Sequence, residues 1–336
     1  EGSGTVLTIR ANNSVLRGLH ITGSGDSHDQ VDAGILLEAD HALIENNKID
    51  NVLFGIHVSD ANENVIRGNY ISSKPNDEIS MRGEGLRMWN GFDNVIEYNN
   101  FENVRDLFIT NSSNNRLQGN RISNSRVGIQ LVFAHENEII GNVINRNRTG
   151  ILLFYSNDLL IQKNRISHLR SFAGAALAFK ESSGVVVRDN EILHSAVGVT
   201  ANAPVHPENI LSLFNNRFAY NDVALYFYGE KGGHIIQGNR FEQNILDVRV
   251  SAPTTALANI WKENYWDLYE GFDINQDGIG DTPYEQYIYS DRIWMDRPMT
   301  QFFRGSPLME AIDFIERLTT FSEPRMVLRD PSPKFQ

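Results

Sequence analysis

Apolar and polar residues alternate in short runs along most of this chain, and the runs recur at a fixed interval. Between residues 115 and 166 the frame apolar-x-x-Asn-x-apolar occurs three times, and its asparagines, Asn120, Asn142 and Asn164, are 22 residues apart. Each copy contains two alternating segments, one ending in Asn-x-Ile and one beginning with Gly. Alternation with a period of two, bounded by turn residues, predicts β-strands. A repeat of about 22 residues that holds only strands and turns predicts one coil of a parallel β-helix.

The same frame extends in both directions and defines the architecture that we expect. Beyond a degenerate first copy at residues 16–21, further copies place their asparagine at Asn47, Asn69, Asn99, Asn190, Asn216, Asn239 and Asn264. The sequence therefore predicts an all-β fold, a solenoid of about eleven coils that rises ~50 Å at the spacing of paired strands. We predict a β-helix over residues 1–264, a capping segment over 265–303, and a C-terminal helix and extended tail over 304–336.

The asparagine column and the uneven spacing of the copies each have a structural interpretation. An asparagine that faces inward at a bend carries two donors and one acceptor, so stacked copies can satisfy one another and the backbone. We interpret the column as structural rather than as a set of ligand groups. Longer intervals predict that residues 22–33 and 72–84 form loops that leave the solenoid through one turn.

The strand that follows each glycine separates an inward from an outward set of side chains. The predicted inward set is a continuous apolar core: Ile35/Leu37, Ile56/Val58, Leu86/Met88, Leu107/Ile109, Ile129/Leu131, Ile151/Leu153 and Ala176/Ala178. The outward set should be polar, yet it includes a stripe of apolar and aromatic residues: Trp89, Phe108, Leu152, Phe154, Leu177 and Phe179, with Tyr226 and Tyr228 on a later coil. Such an outer stripe predicts a docking surface, a sugar-binding groove, or the seat of the C-terminal tail. All three interpretations stay open at this point.

Composition and charge narrow the classes of function. The formal net charge of −12 disfavours a nucleic-acid partner. The chain has no cysteine, which excludes disulfides and thiolate metal sites. No apolar run is long enough to span a membrane, and the chain begins without a basic and apolar leader, so we expect a signal peptide to have been removed or omitted. The outward positions that follow Glu38 carry no converging carboxylates, so we expect no enzymatic activity.

Two features lie beyond the repeats. Residues 273–284 read DINQDGIGDTPY and match the first half of a calcium loop, with candidate ligands Asp273, Asn275, Asp277, Ile279 and Asp281. The twelfth position is Tyr284 instead of a bidentate Glu, so a metal-free Asx turn fits equally well. Residues 304–318 predict a helix that begins at Ser306 and Pro307. Its apolar face for partner docking comprises Leu308, Ile312, Ile315 and Leu318. Residues 323–336 predict an extended tail that is ordered mainly by a partner.

Several of these segments together resemble the NosD family of periplasmic accessory proteins for nitrous oxide reductase maturation. The resemblance rests on the Gly-Asn-x-Ile coils, the run LFYSND at 153–158, the closing block 264–284, and the DRIW and SPL segments at 291–294 and 306–308. It implies a right-handed β-helix in the periplasm that works with an ABC-type ATPase, its membrane subunit and a small copper chaperone in copper insertion into the reductase. It also implies that the C-terminal helix docks on the membrane subunit and that membrane contact occurs only through that partner.

The resemblance leaves the copper ligands unassigned. Family members often carry methionines in the middle coils, where this chain has Leu131-Val-Phe133 and Leu153-Phe-Tyr155, and its nine histidines and six methionines are scattered. Transient Cu⁺ binding is therefore an expectation without named residues. The leading hypothesis is a non-enzymatic platform. The alternative is a carbohydrate-binding or carbohydrate-modifying β-helix in which the outer aromatic residues stack on sugar rings.

Overall fold

The structure is a computed structural model that describes residues 2, 4–171, 174–202, 210–228, 232–251, 256–288, 315 and 325–335. These residues form a right-handed parallel β-helix, which confirms the predicted fold class. Three parallel sheets of eleven strands each run along the solenoid, and every coil passes through sheet A, then sheet B, then sheet C. One single-turn 3₁₀ helix occurs at Ile79–Met81. Within the described residues no helix is long and apolar enough to cross a membrane.

The strands are short and regular in all three sheets. The strands of sheet A are Leu7–Ile9, Ala33–Leu37, Phe54–Ser59, Leu86–Trp89, Asp106–Thr110, Val127–Val132, Thr149–Phe154, Leu177–Lys180, Val197–Asn202, Val223–Tyr228 and Leu246–Val250. The strands of sheet B are Val15–Arg17, Leu43–Glu45, Val65–Arg67, Val95–Glu97, Arg116–Gln118, Glu138–Ile140, Leu160–Gln162, Val185–Arg188, Leu211–Phe214, Ile235–Gln237 and Ile260–Lys262. The strands of sheet C are His20–Thr22, Lys48–Val52, Tyr70–Ser73, Asn100–Glu102, Arg121–Ser123, Val143–Asn145, Arg165–Ser167, Glu191–Leu193, Arg217–Ala219, Arg240–Glu242 and Tyr265–Trp266.

Each coil has three strands rather than the two segments that the sequence pattern indicates. The segment that ends in Asn-x-Ile is broken by a bend, as at Gly141, where the backbone φ is +64°. Glycine tolerates this left-handed conformation, which turns the chain from sheet B into sheet C. The next residue, Asn142, is fully buried at the inside of the bend. The asparagine frame therefore marks a corner between two strands.

The core is the stacked set of inward side chains. Strand pairing places Ile129 on Ile151 and Leu131 on Leu153, and all four are fully buried. The predicted inward set is confirmed for six of the seven coils. Parallel sheets that are buried on one face by such stacking are stabilised by roughly 25 cal/mol for each Å² of apolar surface removed from water.

The seventh predicted pair is wrong by one residue. Leu177 pairs with Ile151 and Phe179 pairs with Leu153, so both side chains face inward and are 0% and 4% exposed. Ala178 faces outward in their place. The insertion at 168–176 shifts the frame, because Ala176 rather than Gly174 occupies the position equivalent to Gly150. Leu177 and Phe179 therefore belong to the core and not to the outer stripe.

The asparagine column forms a continuous hydrogen-bonded ladder, which confirms its structural interpretation. The side-chain oxygen of Asn142 accepts hydrogen bonds from the backbone N–H of Asn120 at 2.9 Å and from its side-chain amide at 3.0 Å. The Asn142 amide in turn donates to the carbonyl of Leu117 at 2.9 Å. The same pattern connects the buried ladder members Asn47, Asn69, Asn99, Asn120, Asn142, Asn164, Asn190, Asn216, Asn239 and Asn264.

The two long N-terminal loops leave the solenoid at the same corner, between sheet C and sheet A, as predicted. They pack on each other: the ammonium group of Lys74 donates to the carbonyl of Ser24 and to Asp26, both at 2.6 Å. His28 of the first loop lies 3.2 Å from the carbonyl of Met81 in the second. Residues 168–171 and 174–176, which belong to an insertion on a later coil, lie at this corner as well. Among the described residues this corner therefore carries the two longest loops.

The C-terminal segment closes the solenoid. Arg325–Asp330 pairs antiparallel with Tyr284–Ile288, and Val327 and Leu328 are fully buried against the last coils. Asp330 accepts hydrogen bonds from the backbone and side-chain amides of Asn264 at 3.1 and 2.9 Å, and so ends the ladder. The expectation that a partner orders this tail is wrong for residues 325–335, because they complete the core. The predicted helix at 304–318 lies outside the described residues except for Ile315, which has a helical conformation.

Candidate functional site

The outer face of sheet A presents the predicted stripe in two rows. Phe108 and Leu152 belong to one row and are half-buried, and Trp89, Val132 and Phe154 belong to the next. Trp89 is 43% exposed. The described part of the C-terminal tail packs on the last coils and does not cover these residues. The outer stripe thus consists of two adjacent rows of large side chains on the wall of the solenoid.

Cations lie over several of these rings. The Arg87 guanidinium is 5.9 Å from the ring centre of Phe54 and 6.0 Å from that of Phe108. The ammonium group of Lys180 is 5.6 Å from the ring centre of Phe154. On a later coil, Arg249 lies 4.0 Å from the ring of Tyr226. Cation–π contacts of this kind hold the charged side chains flat and leave a mixed aromatic and basic surface.

Two further aromatic residues extend the stripe and are missed by reasoning from strands alone. Phe133 and Tyr155 follow Val132 and Phe154 at the corner between sheets A and B, are 50% and 46% exposed, and stack with ring centres 5.1 Å apart. Both have a positive φ, of 50° and 48°. On the coils before them the same corner holds Asp60, Asn90 and Asn111. The available signal was the spacing of 22 residues between two aromatics at a position that favours asparagine.

We name Trp89, Phe133, Phe154 and Tyr155 together the aromatic edge. A bulky side chain at positive φ is strained, and such strain persists where the surrounding structure holds it. Aromatic rings that are half exposed also forgo much of the stabilisation that burial would give. The aromatic edge differs from a single exposed aromatic residue at positive φ, such as Tyr98, because it gathers four aromatic side chains along one wall and stacks two of them.

A charged cluster lies beside the stripe and was also missed from the sequence. Glu84 is buried and paired with Arg105, and Asp106 is buried and paired with Arg126 on the next coil. The two carboxylates lie outside the outward column that follows Glu38, for which we expect no converging carboxylates; they lie at the corner where the chain enters sheet A. Each carboxylate is engaged by a guanidinium, which favours a structural role for the cluster.

The histidines of the described residues do not form a metal centre of three or more His, Cys, Asp or Glu groups. His168 and His194 stack with ring centres 5.1 Å apart, and Tyr220 continues the stack at 5.0 Å. Burial, with His194 and neighbouring arginines, lowers the pKa of His168. Burial also lowers the pKa of His57, with a smaller contribution from Arg87. Neutral imidazoles suit copper, but no set of copper ligands is assigned here.

The candidate calcium loop at 273–281 folds into the turn that its sequence indicates. The carboxylate of Asp273 accepts hydrogen bonds from the backbone N–H groups of Asp277 and Gly278 at 3.1 and 2.9 Å. The carboxylate of Asp281 accepts from the N–H of Ile274 at 2.7 Å. Carboxylate oxygens suit a hard cation, but Asp273, Asp277 and Asp281 do not converge into a group that could hold one, and the same hydrogen bonds satisfy a metal-free turn. The terminal segment supports the loop, since Gly280 donates to the carbonyl of Pro333 at 2.8 Å.

If the loop binds calcium, chelation is expected to lower the melting temperature of the protein by a few degrees. Saturation at a hundred times the dissociation constant contributes about 2.7 kcal/mol, because the ion binds only the folded state. The variant Asp277→Ala is expected to melt at the same temperature with and without chelator. Differential scanning calorimetry of both proteins measures this. Identical melting of the wild-type protein in calcium and in chelator would show that the loop is only a turn.

The fold and its surface define a class of protein: a β-helix solenoid with a sealed core and an exposed aromatic edge on one wall. The family described as "Periplasmic copper-binding protein (NosD)" matches residues 73–271, which is more than half of the 336-residue chain. A second description, "Right handed beta helix region", matches residues 2–131. The chain therefore belongs to the NosD family.

Curated relatives carry the same family name. "Probable ABC transporter binding protein NosD" of Stutzerimonas stutzeri is 30% identical over 104 residues, which is 31% of this chain and 24% of that protein. The protein of the same name from Pseudomonas aeruginosa is 30% identical over 111 residues, 32% of this chain and 26% of that protein. The matched segments span about a quarter of the length of these relatives.

Solved structures with a similar fold include carbohydrate-active proteins. The A-module of mannuronan C-5 epimerase AlgE6 from Azotobacter vinelandii has a TM-score of 0.51 and 15% identity, with 77% of each chain covered. A tailspike protein of E. coli bacteriophage HK620, in complex with a pentasaccharide, has a TM-score of 0.53 and 11% identity, with 75% of this chain and 54% of that chain covered. At such identities the likeness supports the fold alone.

Proposed function

We propose that this protein is a non-enzymatic periplasmic platform in copper-site assembly of nitrous oxide reductase. In this proposal it works with an ABC-type ATPase and its membrane subunit, and with a copper chaperone that delivers the metal as cargo. The supporting observation is the aromatic edge, where Phe133 and Tyr155 are half exposed and stack on each other beside Phe154. Membership of the NosD family and the printed name of the two relatives support the same role.

The aromatic edge has the chemistry of a protein interface. Aromatic residues and arginine are enriched in the centres of such interfaces, where they fill pockets on a partner. Here the stacked rings of Phe133 and Tyr155 lie next to Phe154, over which the ammonium group of Lys180 is placed. In this proposal the aromatic edge receives the copper chaperone or the reductase. The long loops at the other corner of sheet A add a second contact region.

The predicted helix over 304–318 is the proposed contact with the membrane subunit. Its apolar face, formed by Leu308, Ile312, Ile315 and Leu318, is wide enough to be held between two surfaces. Deleting everything from residue 304 is a poor test, because residues 325–335 close the solenoid and Asp330 ends the asparagine ladder. Substitutions on the helix face leave that closure intact and are the better design.

We expect a variant with serine at positions 308, 312, 315 and 318 to lose copurification with the ABC-type transporter while melting as the wild-type protein does. The variant Phe133→Ser/Tyr155→Ser is expected to copurify with the transporter but no longer with the copper chaperone or the reductase. Affinity purification from solubilised membranes, with identification of the associated proteins by mass spectrometry, measures both results. Loss of an interface centre typically weakens binding by at least tenfold, or about 1.4 kcal/mol.

The matched control is Tyr98→Ser. Tyr98 is 60% exposed and has a positive φ of 55°, but it lies at the corner between sheets B and C. The substitution Tyr98→Ser should leave copurification with the transporter, the copper chaperone and the reductase unchanged. Full association of both multiple variants would contradict the proposal. Binding of a polysaccharide by the purified chain, lost with Trp89→Ala, would favour the carbohydrate-binding alternative instead.

A further inference from the structure

Arginines occupy equivalent positions on three successive coils at the corner between sheets C and A. They are Arg105, Arg126 and Arg148, and each immediately precedes a strand of sheet A. The first two are neutralised from the preceding coil: Glu84 pairs with Arg105, and Asp106 pairs with Arg126. We call this pairing of an acid on one coil with an arginine on the next the repeating unit; the acid lies 21 residues before the arginine in the first pair and 20 in the second.

The repeating unit is broken at Arg148. The residue of the preceding coil that is equivalent to Asp106 is Val127, which has no charge to offer. Among the described residues none forms an ion pair with Arg148 or with its neighbour Arg146, and both side chains are exposed. Within the described part of the chain these two cations therefore have no ion-pair partner, although the formal net charge of the chain is −12.

These two arginines lie on the floor of a groove of about 610 Å³. Arg82 of the long second loop forms one wall, and Arg170 of the insertion at 168–176 forms the other, together with His168. Arg82 is fixed by donating to the carbonyls of Asn76 and Asn124, at 2.9 and 3.4 Å. Asp77 is the one carboxylate among the lining residues that the structure describes, and Arg170 is paired with Asp222 at 3.1 Å. The groove is therefore basic on its floor and on both walls.

We propose that this groove binds an extended acidic segment of a partner protein. The cations are distributed over three coils, ~10–15 Å at the spacing of paired strands, which suits several carboxylates along a chain better than one small anion. Asn103 and Asn124 also line the groove and offer amides to a peptide backbone. Among the described residues of the lining there is no Phe, Tyr or Trp on which a sugar ring would stack, which favours a peptide over an acidic polysaccharide.

The site goes beyond the proposed platform role and lies at a different corner from the aromatic edge. Its test uses the isolated chain and no transporter, so its failure and the failure of the platform proposal are distinguishable. Guanidinium groups form paired, charge-assisted hydrogen bonds with carboxylates, which makes four arginines in one groove selective for such a partner. The interaction should weaken as salt screens it.

The probe is a fluorescein-labelled peptide of twelve residues in which Glu and Gly alternate, measured by fluorescence anisotropy. The wild-type chain should bind it, and a matched peptide with Gln in place of Glu should bind about tenfold more weakly or worse. Arg146→Ala/Arg148→Ala should lose about tenfold in affinity. Val127→Asp should also weaken the binding of the peptide about tenfold, although it removes no arginine, because it supplies the acid that the repeating unit lacks at Arg148.

The control is Arg116→Ala, which removes one exposed arginine from sheet B and should leave the affinity unchanged. An equal loss in this control would show attraction by overall charge only and would overturn the proposal, as would unchanged binding by the double arginine variant. Tighter binding of an oligomannuronate than of the Glu peptide would overturn the assignment to a peptide. Thermal melting of each variant shows whether a loss of affinity comes from unfolding. If one of the two groove variants does not fold, the affinity of the other decides the outcome.

Discussion

Asn142→Ala is expected to lower the free energy of unfolding by about 3–5 kcal/mol. The substitution leaves several buried polar groups without a hydrogen-bond partner, and each such group costs about 1–3 kcal/mol. Its side-chain oxygen accepts from the backbone and side-chain amides of Asn120, and its amide donates to the carbonyl of Leu117. The amide also donates to the carbonyl of Ile140 at 3.2 Å and to the side-chain oxygen of Asn164 at 3.0 Å. Alanine removes all five interactions in the dry interior, where water does not replace them. Urea unfolding followed by circular dichroism measures the change.

The matched control is Asn145→Ala on the same coil. The side-chain oxygen of Asn145 is buried but has no hydrogen-bond partner, so its removal should change the free energy of unfolding by less than about 0.5 kcal/mol. The comparison separates the loss of an asparagine from the loss of a ladder member. If both variants have the same free energy of unfolding, the hydrogen bonds of the ladder do not stabilise the stacked coils.

Asp330→Ala is expected to cost about 3–4 kcal/mol, because three buried donors lose one acceptor at once. A single carboxylate oxygen of Asp330 accepts from both amides of Asn264 and, at 3.2 Å, from the indole N–H of Trp266. The aromatic rings beneath it continue the core, since Trp266 stacks on Phe241 at 4.3 Å and on Tyr284 at 4.5 Å. Opening this end should therefore expose the last coils to solvent.

Asp330→Asn provides the control, because an amide oxygen can accept the same three hydrogen bonds as every other ladder member does. We expect it to retain most of the stability that Asp330→Ala loses. Calorimetric melting of the two variants and the wild-type protein distinguishes them. Equal destabilisation by asparagine and alanine would mean that the charge of Asp330, and not its place at the end of the ladder, stabilises this terminus.

The fold could be predicted from the sequence because its cause is local and repeated. The spacing of Asn120, Asn142 and Asn164 fixes one coil, and alternation around Ile151 and Leu153 fixes which side chains face inward. The prediction failed at Leu177 and Phe179 because an insertion moved the frame by one residue, and in a strand one residue exchanges the two faces. A pattern of period two carries no information about register across a loop.

The functional surface was only partly predictable. Trp89 and Phe154 lie on strands, so alternation identifies them as outward. Phe133 and Tyr155 lie at a corner, where the alternation of inward and outward side chains along a strand does not apply. Contacts between coils cannot be predicted from a single copy of the repeat. Glu84 pairs with Arg105 of the next coil, and Asp330 accepts a hydrogen bond from Asn264, which is 66 residues away in the sequence. Such pairs are set by stacking and chain closure.

The central claim is that the aromatic edge is where a partner protein docks on this solenoid. The most direct measurement places a photo-crosslinking amino acid at Tyr155 and, as the control, at Tyr98, which is also exposed and at positive φ but lies at another corner. We predict that position 155 crosslinks in cells to the copper chaperone or the reductase and that position 98 does not. Equal crosslinking at the two positions, or none at 155, would contradict the claim.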